Sequence, residues 1–206
     1  MKFAFTLAAI LMCHTIIIAG PLQPTQTAPA PAPYDPVDHW ELGFDTSALW
    51  SAGGGASPLD YVFLSQMLTV RSPYIFKVPV AGGDLVMRHR LTLLGEAIVE
   101  GPESYFLGVA AGGSLEWWNT PRTFSLFLSA GGGVGWMDST GYEIEGGQGQ
   151  DFNLNWYVHS GARWMISEQL SASIGVYFQH ISNGGADDIN PGVNAVGPTL
   201  GLAWHF

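Results

Sequence analysis

Basic residues are scarce, with seven Lys and Arg against seventeen Asp and Glu in 206 residues. No basic stripe is present to neutralise phosphates, which excludes nucleic acid as a partner. Cysteine is nearly absent. The single Cys13 lies in the apolar N-terminal stretch, so the rest of the chain offers neither a disulfide framework nor a thiolate metal site. Charged residues of both signs make up only 12% of the chain, too few for an ordinary acidic soluble protein. Beyond residue 20 no apolar run approaches the ~20 residues that a membrane-spanning helix needs. If the chain enters a membrane, it does so as a barrel of strands.

What is present begins with Lys2, then Phe3 to Ile18, almost wholly apolar, then Ala19, Gly20 and Pro21. A charged start, a short apolar stretch and small residues at a cleavage point predict a secretory signal peptide over residues 1–20. Met12 before Cys13 is not the small residue a lipoprotein cleavage site wants. Removing Lys2 leaves six basic residues against seventeen acidic ones, a net charge of −11 with His neutral. Residues 21–38 carry Pro21, Pro24, Pro29, Pro31, Pro33 and Pro36 among Ala, Gln and Thr, the composition of a disordered linker. Residues 39–206 are the folded domain.

That domain alternates apolar and polar residues with a period of two, the mark of strands with one apolar face. Trp40 to Trp50, Val62 to Val70, Leu91 to Val99, Tyr105 to Trp117, Phe124 to Trp136, Phe152 to Trp164, Leu170 to Phe178 and Val196 to Phe206 give eight strands. Ser72 to Gly83, with Pro73, Pro79 and a glycine pair, is expected to be a connection. Eight is the number that closes a small barrel whose interior side chains can fill. The fold class is therefore all-β, an eight-stranded antiparallel transmembrane β-barrel in a bacterial outer membrane. A lipocalin-like soluble barrel with its apolar faces inward is the alternative.

The tryptophans support the membrane reading. Trp40, Trp117, Trp164 and Trp204 fall at one rim and Trp50, Trp136 and Trp156 at the other, as in the aromatic girdles of such barrels. Ten residues from Trp40 to Trp50, at ~3.3 Å rise and ~45° tilt, span ~23 Å of membrane. A terminal aromatic such as Phe206 resembles the assembly signal of these barrels, which places the chain end in the periplasm and the segment after residue 182 outside.

On this register Glu41, Asp45, Arg90, Glu96 and Arg163 point into the lumen, where a narrow barrel needs paired charges. Gly131, Gly133 and Gly135 lack the Lys and Ser/Thr of a phosphate loop and are expected to make room for bulky lumen neighbours. His39, His159 and His205 face the lumen singly, without ligand-like spacing, so neither a metal nor another cofactor is expected.

His180, Ser182 and Asn194 differ, because all three fall on the apolar side of neighbouring strands. A serine needs a base, and two residues along one strand face bring an imidazole within reach of a hydroxyl. Asn183 and the flexible Gly184 and Gly185 behind it offer donors for an oxyanion. The pattern His180-x-Ser182-Asn183-x-Gly185, followed by Asn190-Pro191-Gly192 and a final apolar strand, resembles the lipid A 3-O-deacylase family of outer-membrane acyloxyacyl hydrolases. The resemblance is specific over Phe178 to Phe206 and compatible in length and strand count over residues 39–206.

It implies a lipid-facing serine esterase acting on the 3-O-acyl chain of lipid A in lipopolysaccharide. Ser182 would be the nucleophile and His180 the base, with Asn183 and the Gly185 N–H as the oxyanion hole. The family's orienting acid falls twelve residues after the serine, and here that position is Asn194. Asp187 and Asp188 in the intervening loop are the alternative acids. Outer-membrane lipids are the expected surroundings, a homodimer is left open, and a non-enzymatic barrel with a structural or adhesive role is the competing reading.

Overall fold

Among the described residues, alternation along each segment produces nine antiparallel strands, eight of which close on themselves. The computed structural model describes residues 34–53 and 57–206; the signal peptide expected over 1–20 and most of the expected linker lie outside the described residues. In chain order the strands are β1 (Glu41–Ser51), β2 (Val62–Arg71), β3 (Phe76–Val80), β4 (Gly83–Glu100), β5 (Tyr105–Asn119), β6 (Phe124–Met137), β7 (Phe152–Met165), β8 (Leu170–Ser182) and β9 (Val193–His205). Hydrogen-bonded neighbours run β2-β1-β9-β8-β7-β6-β5-β4, and pairing of β2 with β4 closes the ring. The two ends of the domain meet, since Trp40 and Phe206 exchange backbone hydrogen bonds of 3.1 and 2.8 Å.

The stretch Ser72 to Gly83, expected to be a plain connection, holds a strand. Phe76–Val80 pairs with the first residues of β4 outside the ring. The turn between them uses Ala81 at φ 48° and Gly82 at φ 73°, the paired left-handed conformation that suits a tight hairpin. Pro79 is tolerated because β3 has a free edge that needs no N–H from it. The expected linker also ends earlier than residue 38. Pro36–Asp38 form a 3-10 turn whose N–H of Val37 donates to Asp35, and Val37 is buried against Val86 and Trp118.

The two faces of the sheet are inverted relative to a soluble protein. Outward positions such as Leu93, Leu107 and Leu200 are more than half exposed, while Glu41, Arg88, Glu116 and Arg163 inside are at most 2% exposed. This distribution overturns the soluble alternative and makes the strands membrane-spanning. Glu41 lies at the centre of the lower lumen. It pairs with Arg71, with Arg88 at 2.8 Å and with Arg163 at 3.0 Å, while Glu116 stands 3.5 Å from Arg163 and 3.8 Å from Arg88. Above this layer an apolar cluster including Phe63, Met67, Phe106 and Tyr177 fills the barrel. Gly131 and Gly133 do not make room for side chains as expected. A Cβ at either would run into the β5 backbone at Ala111 or Val109, so they let two strands approach; Gly135 does make way for the Phe106 ring.

Removing the carboxylate of Glu41 leaves three buried guanidinium groups around Glu116. Glu41→Ala is expected to destabilise the barrel by ~3 to 5 kcal/mol, the usual cost of breaking a buried ion pair. Heat-modifiable gel mobility in detergent checks this: the folded band should be lost at a lower temperature than in Asp35→Ala, whose carboxylate is partly exposed.

Candidate active site

At the end of the barrel opposite Trp40 and Phe206, β8 and β9 carry three polar side chains on an otherwise apolar outer face. His180 and Ser182 are alternate residues of β8 and so share that face. Asn194 is the cross-strand partner of His180 on β9. The His180 Nε2 lies 3.0 Å from Ser182 Oγ, and its Nδ1 lies 2.7 Å from Asn194 Oδ1.

The third link fixes the chemistry. Asn194 Nδ2 donates to the carbonyl oxygen of Gly53, at 2.7 Å, in the loop after β1. Since that carbonyl can only accept, the amide nitrogen must face it and the amide oxygen must face the imidazole. His180 therefore carries its proton on Nδ1, and the Nε2 lone pair is left to accept from the Ser182 hydroxyl. This is the tautomer a general base requires.

Packing holds the ring in place. Trp156, the cross-strand neighbour of His180 on β7, lies with its ring centroid 5.8 Å away at an interplanar angle of 30°. On the other side is Gly192 at φ 68°, where a Cβ would stand 3.1 Å from His180 Cε1 and 3.5 Å from Ser182 Cβ. Glycine is required there twice over, for its backbone conformation and for the space.

The residues expected to form an oxyanion hole are placed differently. Strand alternation continues past Ser182, so Asn183 turns inward and is buried. Its Nδ2 donates to Ile189 O at 2.8 Å, its backbone N–H donates to Asn190 Oδ1 at 2.9 Å, and its Oδ1 accepts from the Gly185 N–H at 2.9 Å. Both groups thus hold the β8–β9 loop, and neither is directed at the serine. Asp187 is occupied too: it accepts from the Ile189 N–H at 2.8 Å and from the Tyr142 hydroxyl at 2.9 Å. The hydrogen bond to Asp187 raises the pKa of the Tyr142 phenol. Of the five residues singled out in the sequence, the structure brings His180, Ser182 and Asn194 together. Gly53 and Trp156 are additions that the sequence pattern did not reveal, and Gly192, already part of that pattern, takes its place beside the ring only in the structure.

The family model for Lipid A 3-O-deacylase (PagL) matches residues 84–203, more than half of the chain and all of the cluster on β8 and β9. The chain belongs to the lipid A 3-O-deacylase family. Among solved structures it is similar to one described as the outer membrane enzyme PagL, with a TM-score of 0.54 and 18% identity, over 76% of this chain and 97% of that one. It is likewise similar to Neisserial surface protein A (NspA), with a TM-score of 0.53 and 12% identity, over 81% of this chain and 97% of that one. At such identities these two likenesses establish the fold, a closed antiparallel barrel. A comparison with curated proteins gives no match.

Position 194 presents an amide, whose oxygen faces the imidazole and whose nitrogen faces the loop after β1. The Gly53 carbonyl is suited to that amide, because a carboxylate would set an oxygen against an oxygen at this distance. Imidazole nitrogen NMR of the wild type should show the Nδ1-protonated tautomer at His180. Asn194→Asp should disturb the loop after β1 and shift the His180 resonances, and an Nε2-protonated ring in the wild type would contradict the hydrogen-bond assignment.

Proposed function

We propose that this member of the lipid A 3-O-deacylase family is a serine esterase that hydrolyses the ester-linked 3-O-acyl chain of lipid A at the outer leaflet. The observation that carries the reading is the unbroken hydrogen-bonded sequence Ser182, His180, Asn194 and Gly53 O on the outer face. The cluster is level with the upper aromatic girdle, where Trp156 is exposed. This is the depth at which an ester linking a sugar to an acyl chain meets the surface.

In this mechanism Ser182 Oγ attacks the ester carbonyl while His180 Nε2 takes its proton. Collapse of the tetrahedral intermediate breaks the bond to the sugar oxygen, which leaves with the proton from Nε2, and the acyl group stays on Ser182. Water then enters, gives a proton to Nε2 and attacks the acyl-enzyme. The fatty acid departs and Oγ regains its proton. Asn194 holds the ring for both halves through Nδ1, without the charge an acid would set beside the imidazolium. The chemistry calls for no cofactor. On the same reading residues 1–20 are the secretory leader and the following Pro-rich segment is the linker.

Mass spectrometry of lipid A after incubation with the purified barrel tests the reading. Wild type should remove one hydroxyacyl chain, and Ser182→Ala should leave the spectrum unchanged. Identical spectra for the two would favour a non-enzymatic barrel. A second comparison assigns the orienting group. Asn194→Ala should lower turnover on the order of 10²-fold, at the lower end of what a positioned base contributes, and at least as much as Asp187→Ala or Asp188→Ala. A dead Asp187 variant beside an unaffected Asn194→Ala would move the role to that aspartate.

A further inference from the structure

The pairing of β1 with β9 is interrupted on the lipid-facing side. Ser47 pairs with Thr199 and Trp50 with Val196 in the same register, yet no paired residues lie between them. The cause is Pro198, which has no N–H to give to the ladder. Its carbonyl accepts instead from the Ser47 hydroxyl at 2.8 Å. Outside this gap lies a cleft of about 350 Å³ whose outer walls are Ala48, Leu64, Ile174, Pro198 and Leu200, with Thr46 at its lower end.

Thr46 is out of place. Its hydroxyl accepts from Gln66 Nε2 at 3.0 Å, and both side chains are exposed halfway along strands whose other outward residues are mostly apolar. A polar pair facing lipid is costly unless something uses it. The cleft also lies on the same outer face as the site above it. Asn194, Val196, Pro198 and Leu200 are alternate residues of β9 and share the outer face. At ~3.3 Å per residue Pro198 lies ~13 Å and Leu200 ~20 Å below Asn194.

We infer that this cleft receives the distal part of the acyl chain whose ester is held at Ser182, and that the Thr46–Gln66 pair marks where the chain must end. The inference rests on the esterase reading and deepens it. The substrate class is an ester of a linear acyl chain whose extended length is ~13 to 20 Å. A shorter chain leaves the cleft unfilled. A longer one must pass a polar pair that gives methylenes nothing to pack against. Ala48 is the small residue that keeps the cleft open, and Pro198 is what clears the ladder beside it.

The test uses the full barrel in detergent with linear acyl esters of graded length, shorter and longer than ~13 Å when extended. The readout is the ratio of kcat/KM for long over short esters, with heat-modifiable mobility confirming that each variant is folded. Ala48→Phe should lower that ratio about tenfold or more, the scale on which a hydrophobic pocket discriminates chain length. The milder Ala48→Leu should lower it less, and Thr46→Val should raise relative turnover of the longest esters. Ser182-dependent hydrolysis with a ratio unmoved in folded Ala48→Phe and Ala48→Leu overturns the cleft alone. Absence of Ser182-dependent hydrolysis at every length overturns the esterase reading and the cleft with it.

Discussion

An eight-stranded barrel in a membrane must satisfy its charges inside itself, and the rest of this structure depends on how Glu41 does so. The outer face is apolar and the lumen too narrow for bulk water, so inward charges have only one another. Glu41 from β1 meets Arg71 from β2, Arg88 from β4 and Arg163 from β7, with Glu116 from β5 beside them. Such a cluster adds little stability over a well-packed apolar layer. Its effect is on register, because a one-residue slip of any of these strands would put a guanidinium into lipid. Arg90 repeats the principle higher up. It donates to His159 Nδ1 at 3.0 Å, which leaves His159 neutral and its Nε2–H directed at Thr199 Oγ1, also at 3.0 Å.

With register fixed, the placement of the outer-face cluster follows. His180 and Ser182 face out because Gln179 and Ile181 face in, and Asn194 stands opposite His180 because β8 and β9 pair that way. The cluster thus sits on the side that faces the acyl chains of the membrane. That placement also bears on the amide at position 194. A carboxylate beside lipid needs strong partners to remain charged, whereas an amide needs only an acceptor for its own N–H. The loop after β1 supplies one in the Gly53 carbonyl.

Much of this is legible in the sequence because alternation of side chains is a geometric consequence of strands. It gave the eight ring strands, five of the lumen charges (Glu41, Asp45, Arg90, Glu96 and Arg163, though not Arg71, Arg88 or Glu116) and the shared face of His180, Ser182 and Asn194. It failed where backbone rather than side-chain pattern decides. Phe76–Val80 was hidden by Pro79, which reads as a breaker but is harmless on a free edge. Asn183 and Gly185 looked like oxyanion donors by motif, although parity alone turns Asn183 inward and its side chain then takes the Gly185 N–H. Gly53 lies in a run of glycines with no side chain to announce that its carbonyl orients Asn194. Gly131 and Gly133 were legible as special positions but not as contacts between two backbones.

Charge distribution separates the two ends of the barrel in a way that favours recognition by acyl chain. Among the described residues every Lys and Arg lies in the lumen or toward the end where Trp40 and Phe206 meet: Arg71, Lys77, Arg88, Arg90, Arg122 and Arg163. The opposite end carries Asp60, Glu100, Glu103, Asp138, Glu143, Glu145, Asp151, Asp187 and Asp188 and, among the described residues, no Lys or Arg. An anionic headgroup arriving there meets no cation, so the loops offer it no electrostatic attraction. Burial of methylenes, each worth ~0.8 kcal/mol, does not depend on charge. On the esterase reading proposed above, the substrate is then held from below, along the outer face of β9, and Ser182 reaches the ester that this grip presents.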